Sequence, residues 1–349
     1  MLEELKKIRE TVQSFILNDP YLEIVSSNYL KSAIKLYPQH CGKALRPALA
    51  IWSCSLFDET KKEHMIPIAA AIELTHVWSL VHDDIIDQDD TRRGGPSVHT
   101  FIQEKASSYK DAKKYGHDIA ILAGDIQQAW VNYLITNANE IPAELRITIL
   151  KRLNKTIIPE LVDGESIDTE FEYISLSQIP FEKIFKMLKL KTAALLQFST
   201  ECGAMIGLNN PDINEKSVRS LSKYAEYIGL AFQLKDDLLG VFQSSEKLGK
   251  PAGSDIRNGK INCLFKRALE KMSEKEKQIF KSVYGKKDAS EQQCQEVAGI
   301  IENCGAKQEV EELASCQIES ALELLNKLPS NKYRNYLEEL AFFSIRRKT

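Results

Sequence analysis

Residues 73–99 read ELTHVWSLVHDDIIDQDDTRRGGPSVH, an apolar run that ends in Asp83, Asp84 and Asp87. Asp89, Asp90, Arg92 and Arg93 follow at once. Apolar residues fill most positions back to Met65, which predicts a long, central helix from Met65 to Asp87. On a helix, residues three and four apart share a face. Asp84 and Asp87, or Asp83 and Asp87, therefore present carboxylates side by side. Like charges at that spacing repel, and a divalent cation removes the conflict. Mg²⁺ prefers oxygen ligands, keeps several waters, and is commonly held by one or two carboxylates plus substrate phosphate. The two arginines beyond supply planar forks suited to phosphate oxygens. The same residues also fit an acidic helix terminus carrying a solvated charge cluster.

A second copy of the pattern favours the metal. Residues 232–240 read FQLKDDLLG, so Asp236 and Asp237 again close an apolar helical segment, Tyr224 to Leu234. Two acidic pairs, each on a hydrophobic helix, predict two facing walls of one cavity in which bridging metal ions hold a diphosphate.

The 349 residues suffice for a large core, as one domain or two. A hydrophobic share of 43% with 27% charged residues is ordinary for a globular chain and argues against disorder. The net charge of −3 gives no global basic field, which argues against a nucleic-acid partner. Charges throughout MLEELKKIRETVQSF do not fit a secretory signal, and no apolar run approaches the roughly 20 residues that span a bilayer. The end of the chain, SIRRKT, offers no cysteine for lipid attachment. Seven cysteines without a CxxC pair suit neither a disulfide framework nor zinc, and predict buried thiols in a reducing, cytoplasmic setting.

Helical periodicity dominates the rest. Leu2 to Ile16, Arg46 to Phe57, Asp118 to Thr136, Pro142 to Leu161, Phe181 to Ile206, Glu215 to Phe242, Asn262 to Tyr284, Ser290 to Asn303 and Ala306 to Leu328 all read as helices. Gln103 to Lys114 reads as a surface connection or short helix, and Gly124 and Ala129 offer close helix approach. Long alternating strand patterns are absent. With no linker marked by a composition shift, residues 1–349 are expected to form one all-α domain.

Four more clusters carry groups that hold anions. Lys43 and Arg46 in GKALRP begin a helix, where backbone N–H groups also favour anions, although a basic pair there is often surface charge. Lys191 and Thr192 interrupt an apolar helix, which also fits a lysine snorkelling to the surface. KLGKPAGSDIRNGK, residues 247–260, follows the second aspartate pair and suits a lid over phosphates. His76 stands two turns before Asp83 on the same face, where a satisfied core histidine is the plainer alternative.

Together and in this order, these clusters resemble the trans-isoprenyl diphosphate synthases, the polyprenyl synthetase family. The resemblance runs from GKALRP at 42 to the basic end of the chain. It takes in HDDIIDQDDTRRG at 82–94, AILAGD at 120–125, KT at 191, AFQLKDD at 231–237 and GKPAGSDIRNGK at 249–260. It implies a single large helical bundle around a central cavity, a homodimer, and Mg²⁺-dependent condensation of isopentenyl diphosphate with dimethylallyl, geranyl or farnesyl diphosphate.

Carried over by position, the first aspartate-rich motif is Asp83, Asp84 and Asp87, and the second is Asp236 with Asp237. Arg92 would bind the allylic diphosphate. Lys43, Arg46, His76 and Arg93 would bind isopentenyl diphosphate. Lys191, Thr192, Gln233, Lys250 and Lys260 would surround the allylic substrate. Two departures stand out. The third aspartate usual in the second motif is Gly240 here, a glycine that archaeal-type geranylgeranyl synthases often share. The glutamine common after Asp163-Gly164 is Glu165, while Asp168 is retained.

In the family, the residues four and five before the first aspartate form the floor of the tail channel. Here they are small Ser79 and bulky Trp78, which favours a C20 geranylgeranyl product over C15 farnesyl diphosphate. A terpene cyclase would share the aspartates but not need Lys43, Arg46 and Arg93. A regulatory subunit of another synthase would tend to have lost the first motif, which is intact.

Overall fold

Apolar residues at three- and four-residue spacing become helices nearly wherever the pattern predicts them. The computed structural model describes residues 1–242 and 253–346, and the chain there is all-α. In order, the helices are α1 (Leu2–Leu17), α2 (Asn28–Gln39), α3 (Leu45–Ser55), α4 (Ile66–Ile86), α5 (Val98–Lys105) and α6 (Ala112–Thr136). Next come α7 (Ala143–Arg152), α8 (Ile158–Phe171), α9 (Phe181–Leu188), α10 (Ala194–Leu208) and α11 (Lys216–Phe242). The last are α12 (Ser254–Arg257), α13 (Cys263–Lys271), α14 (Glu274–Val283), α15 (Glu291–Asn303), α16 (Ala306–Leu325) and α17 (Lys332–Arg346). Among the described residues, the strands are a two-residue antiparallel pair, Thr91–Arg92 with Gly95–Pro96. Arg93 (φ 54°) and Gly94 (φ 79°) form its turn. Positive φ at both central residues matches the twist of a tight hairpin.

Helices α2, α5, α12 and α17 form where the spacing predicts none, and three further stretches differ from expectation. The helix predicted over Asn262–Tyr284 is two, because Met272 is extended and Ser273 starts α14 with a reciprocal capping box to Glu276. The helix expected to end at Leu161 continues to Phe171 through a π turn at Leu153–Ile157. A second π turn, Lys189–Ala193, joins α9 to α10. Of the two small residues proposed for close approach, Gly124 packs against His82, whereas Ala129 is exposed.

By contacts, the chain groups into two compact units, each discontinuous in sequence. The first comprises Met1–Ile158, Leu195–Ser222 and Pro329–Leu337. Its α4 is apolar on most faces, and Ile68, Ala69, Ile72, Leu74 and Val77 are all buried. A Cβ on Gly124 of α6 would lie 2.7 Å from His82 Cδ2, so the glycine permits α6 to lie close along α4. The second unit comprises Pro159–Ala194, Lys223–Leu328 and Glu338–Thr349. Its core joins Phe171, Ile184, Leu234, Phe265, Phe280, Val297 and Val310. All seven cysteines are free, and Cys54, Cys202, Cys263 and Cys294 are buried. No described helix is long and apolar enough to cross a membrane.

Candidate active site

Asp83, Asp84 and Asp87 close α4, and the fold treats them differently. A carboxylate oxygen of Asp83 and one of Asp87 lie within 4.8 Å of each other, one helical turn apart. Asp84 is turned inward and wholly buried, at 0% exposure. Tyr37 of α2 donates its hydroxyl to Asp84 Oδ2, and Arg92 donates Nε to Asp84 Oδ1 at 2.7 Å. Arg92 Nη2 also contacts Asp84 and reaches Asp83 Oδ2 at 3.1 Å. Burial pushes the Asp84 carboxyl up, while the bonds from Arg92 and Tyr37 pull it back. For Arg92, burial opposes the charge, but Asp84 and Asp83 outweigh it and keep the guanidinium charged. The short hairpin thus sets Arg92 onto the aspartates and puts Arg93 in the turn, where it takes another direction.

Arg93 Nη1 donates to the carbonyl of His40 at 3.0 Å. A Cβ on Gly42 would lie 2.8 Å from Arg93 Nη2, so Gly42 leaves room for the guanidinium. Two turns and more before the aspartates, His76 and Glu73 feel the charges of Arg46 and Arg93. Burial lowers the Arg46 guanidinium to about 10; Arg93 adds to that fall and Glu73 opposes it. Burial first, then Arg46, Arg93 and Arg92, holds His76 well below its ordinary value. His76 is therefore neutral at pH 7 and can donate or accept a hydrogen bond. Arg46 Nε is shielded and lacks a hydrogen-bond partner among the described residues. Helix α3 begins beside it at Leu45 with no side-chain cap. Crowded cations, an unsatisfied guanidinium nitrogen and an uncapped helix start fit an anion. Lys43 lies exposed just before that helix.

Glu73 and Tyr37 were not among the residues the sequence singled out. Glu73 is a buried carboxylate whose Oε1 accepts from Cys41 Sγ at 3.7 Å. Burial, with Glu73 beside it, pushes the Cys41 thiol up to about 12, so it stays protonated. A charged residue inside the apolar run of α4 was a visible signal for Glu73. Nothing marks Tyr37, which reaches Asp84 from 47 positions away.

In the second unit, the π turn carries Lys191 and Thr192. A Cβ on Gly164 would lie 2.6 Å from the Lys191 backbone nitrogen, so this glycine lets α8 press against the turn. That approach sets Glu165 Oε2 at 2.8 Å and Asp168 Oδ2 at 2.7 Å from Lys191 Nζ. Thr192 Oγ1 donates to Gln233 Oε1 at 3.4 Å, and Gln233 Nε2 donates to Asp237 Oδ1 at 3.3 Å. Asp237 is fully buried, and its Oδ2 has no hydrogen-bond partner among the described residues. Burial pushes its carboxyl up to about 7; Lys260 and Gln233 oppose the rise, while Asp255 and Asp236 add to it. Lys260 faces Asp255, Asp237, Asp168 and Asp236, which keep its ammonium charged against the cost of burial. A buried carboxylate this poorly compensated, with further acids around it, fits a bound divalent cation. Lys250 and residues 247–252 of the expected lid lie outside the described residues.

Trp78 and Ser79 stand on α4 before Asp83. The Trp78 indole meets the His82 ring edge-on at 5.9 Å between centroids, and Ser79 Oγ bonds back to the His76 carbonyl at 2.9 Å.

Comparison with known proteins finds relatives over nearly the whole chain. Geranylgeranyl diphosphate synthase of Sulfolobus acidocaldarius is 34% identical over 99% of this chain and 97% of that one. The crystal structure of geranylgeranyl pyrophosphate synthetase from Pyrococcus horikoshii superposes with a TM-score of 0.86 at 34% identity, covering 99% of each chain. Geranylgeranyl pyrophosphate synthase from Corynebacterium glutamicum, crystallised with isoprenyl diphosphate and magnesium, gives 0.86 at 29% identity over 100% of both chains. A sequence model of the polyprenyl synthetase family matches residues 27–301, from α2 through the aspartate helices into α15. With that match and an all-α frame, the chain belongs to the polyprenyl synthetase family.

Proposed function

We propose that the protein is a Mg²⁺-dependent prenyltransferase. It joins isopentenyl diphosphate to an allylic diphosphate, and its product is geranylgeranyl diphosphate (C20). One observation carries this reading: α4 bears two unlike anion-handling groups. At its end is the Asp83–Asp87 pair with Arg92 held by Asp84, and two turns earlier lie His76 and Glu73 among Arg46 and Arg93. The first suits a diphosphate carried with metal, the second a diphosphate bound directly by cations.

Asp83 and Asp87 supply hard oxygen ligands, and Asp236 with Asp237 supplies those of the second motif. Mg²⁺, when bound, neutralises charge that develops on a leaving diphosphate. Asp84 aims Arg92 through its paired contacts, and Arg92 meets the same diphosphate's oxygens. Lys191 and Lys260 add donors. Thr192 Oγ1 and Gln233 Oε1 turn the negative ends of their dipoles toward the cation formed as the allylic C–O bond breaks. Lys43, Arg46, His76 and Arg93 orient isopentenyl diphosphate so that its double bond attacks the allylic C1; the proton then lost goes to the departed diphosphate. The relatives named above as geranylgeranyl synthases support C20, as do small Ser79 and bulky Trp78.

The same reading expects a homodimer and a cytoplasmic setting. Exposed Ile121 and Leu122 on α6 offer an apolar surface for the first, and the seven free cysteines fit the second. The test is to incubate the protein with labelled isopentenyl diphosphate and, separately, dimethylallyl, geranyl and farnesyl diphosphate, and to identify products by mass spectrometry. Geranylgeranyl diphosphate as the end product from all three starters supports the reading. Farnesyl diphosphate as the end product from the shorter two overturns the C20 assignment, and no condensation overturns the activity.

A further inference from the structure

Lys260 stands on a short stretch of backbone that is held from two sides. Just after α12, Gly259 enters the left-handed region at φ 62°. There the Gly259 amide donates to the Ile256 carbonyl at 3.2 Å, and the Lys260 amide donates to the Asp255 carbonyl at 3.1 Å. That pair of bonds closes a helix through a left-handed glycine. It satisfies the N–H groups of the stretch and leaves the Gly259 and Lys260 carbonyls to find donors elsewhere. Both meet one group, the Tyr284 hydroxyl, at 2.8 and 2.9 Å.

Tyr284 is itself firmly placed. It follows α14, and its ring stacks on Phe280 at 4.7 Å between centroids and meets Phe265 edge-on at 5.3 Å. Both phenylalanines belong to the core of the second unit. Burial, and then the charge of Asp255, holds the phenol above its ordinary value, so the hydroxyl keeps its proton and donates. Next to it, the Gly285 amide donates to the Ile256 carbonyl at 2.9 Å, and Arg257 Nε donates to the Ala289 carbonyl at 2.8 Å. A Cβ on Gly259 would lie 3.0 Å from Gly285 Cα, so the two backbones meet through glycines. The two parts of the Tyr284 side chain therefore do separable things. The ring packs on the core, and the hydroxyl holds the backbone that carries Lys260.

We propose that Tyr284 is the positioning residue for Lys260. A lysine is a point charge on a flexible four-carbon stem, so its placement depends on where the stem begins. The Tyr284 hydroxyl fixes that origin relative to the core, and Lys260 then presents its ammonium to the allylic diphosphate. The hydroxyl does not touch substrate; it acts through the lysine. The proposal rests on the reading of Lys260 given above.

The test is steady-state kinetics of the full-length protein in saturating Mg²⁺, with farnesyl and isopentenyl diphosphate each varied. Tyr284→Phe keeps the ring and its stacking and removes the hydroxyl. It is expected to lower kcat/KM for farnesyl diphosphate by about tenfold and to leave KM for isopentenyl diphosphate unchanged. In a Lys260→Met background, where the ammonium is already gone, the same substitution should change kcat/KM by less than about twofold. Circular dichroism confirms the fold of each variant, and if Lys260→Met does not fold, the split between the two substrates decides. Parental kcat/KM in Tyr284→Phe, with a loss in Lys260→Met, overturns the proposal and leaves the reading of Lys260 standing. An equal loss in both backgrounds, or a KM for isopentenyl diphosphate that rises alongside, makes Tyr284 a merely structural residue and also overturns it. Parental kinetics in Lys260→Met overturns the reading of Lys260 itself.

Discussion

Neighbouring arginines can serve different partners when a tight turn separates them. Arg92 lies on the hairpin strand and meets Asp83 and Asp84, whereas Arg93 sits in the turn at φ 54° and meets the His40 carbonyl beside Glu73 and Arg46. Arg93→Ala should therefore raise KM for isopentenyl diphosphate by about tenfold or more, the scale of a lost charged hydrogen bond, with little change in kcat. Arg92→Ala should impair use of the allylic substrate. It should also cost about 3 kcal/mol of stability, because buried Asp84 loses its cation. Steady-state kinetics with each substrate varied, and urea unfolding of both variants, check this. Identical kinetic defects in the two variants contradict the division. Helical spacing made the aspartates legible, since Asp83 and Asp87 share a face by arithmetic alone. It did not reveal that Asp84 turns inward, because the partner that holds it, Tyr37, comes from a distant helix with no local signal.

Helix periodicity located the long apolar helices but not α2, α5, α12 or α17, and where it set wrong bounds the causes are local. Ser273 and Glu276 spell a capping box, yet the apolar spacing across them still read as one helix; the extended Met272 decides for two. The π turns follow from packing, which a 3.6-residue pattern does not encode. Gly164 is the residue that permits one of them. Gly164→Ala places a methyl against the Lys191 backbone, which cannot yield as a flexible side chain would. It should cost about 1–3 kcal/mol and raise KM for the allylic substrate, because Lys191 moves from Glu165 and Asp168. Unchanged unfolding and kinetics would remove Gly164 from this role. On α4, Trp78→Ala should shift products beyond C20, since five residues of helix set Trp78 about 7.5 Å along the axis from Asp83. Ser79→Phe should shift them toward C15. If well-folded forms of both variants make the parental product, the channel floor lies on other residues.

At the scale of the molecule, the chain passes between the two compact units five times, so neither unit is a continuous segment. We propose that residues 1–349 act as one catalytic domain. Thermal unfolding followed by calorimetry should show a single cooperative transition; two separated transitions would make the units independent domains. Fold class and family were open to the sequence because they rest on motifs and spacing. The place of Tyr284 was not, because no motif marks it and the carbonyls it meets are brought to it by tertiary structure. The most direct measurement is the rate at which protein stripped of divalent cations condenses labelled isopentenyl diphosphate with farnesyl diphosphate. The predicted result is no C20 product in chelator, full turnover on adding Mg²⁺, and a loss of at least about a hundredfold in Asp83→Ala with its fold intact. Undiminished condensation in chelator, or parental turnover in Asp83→Ala, would contradict it.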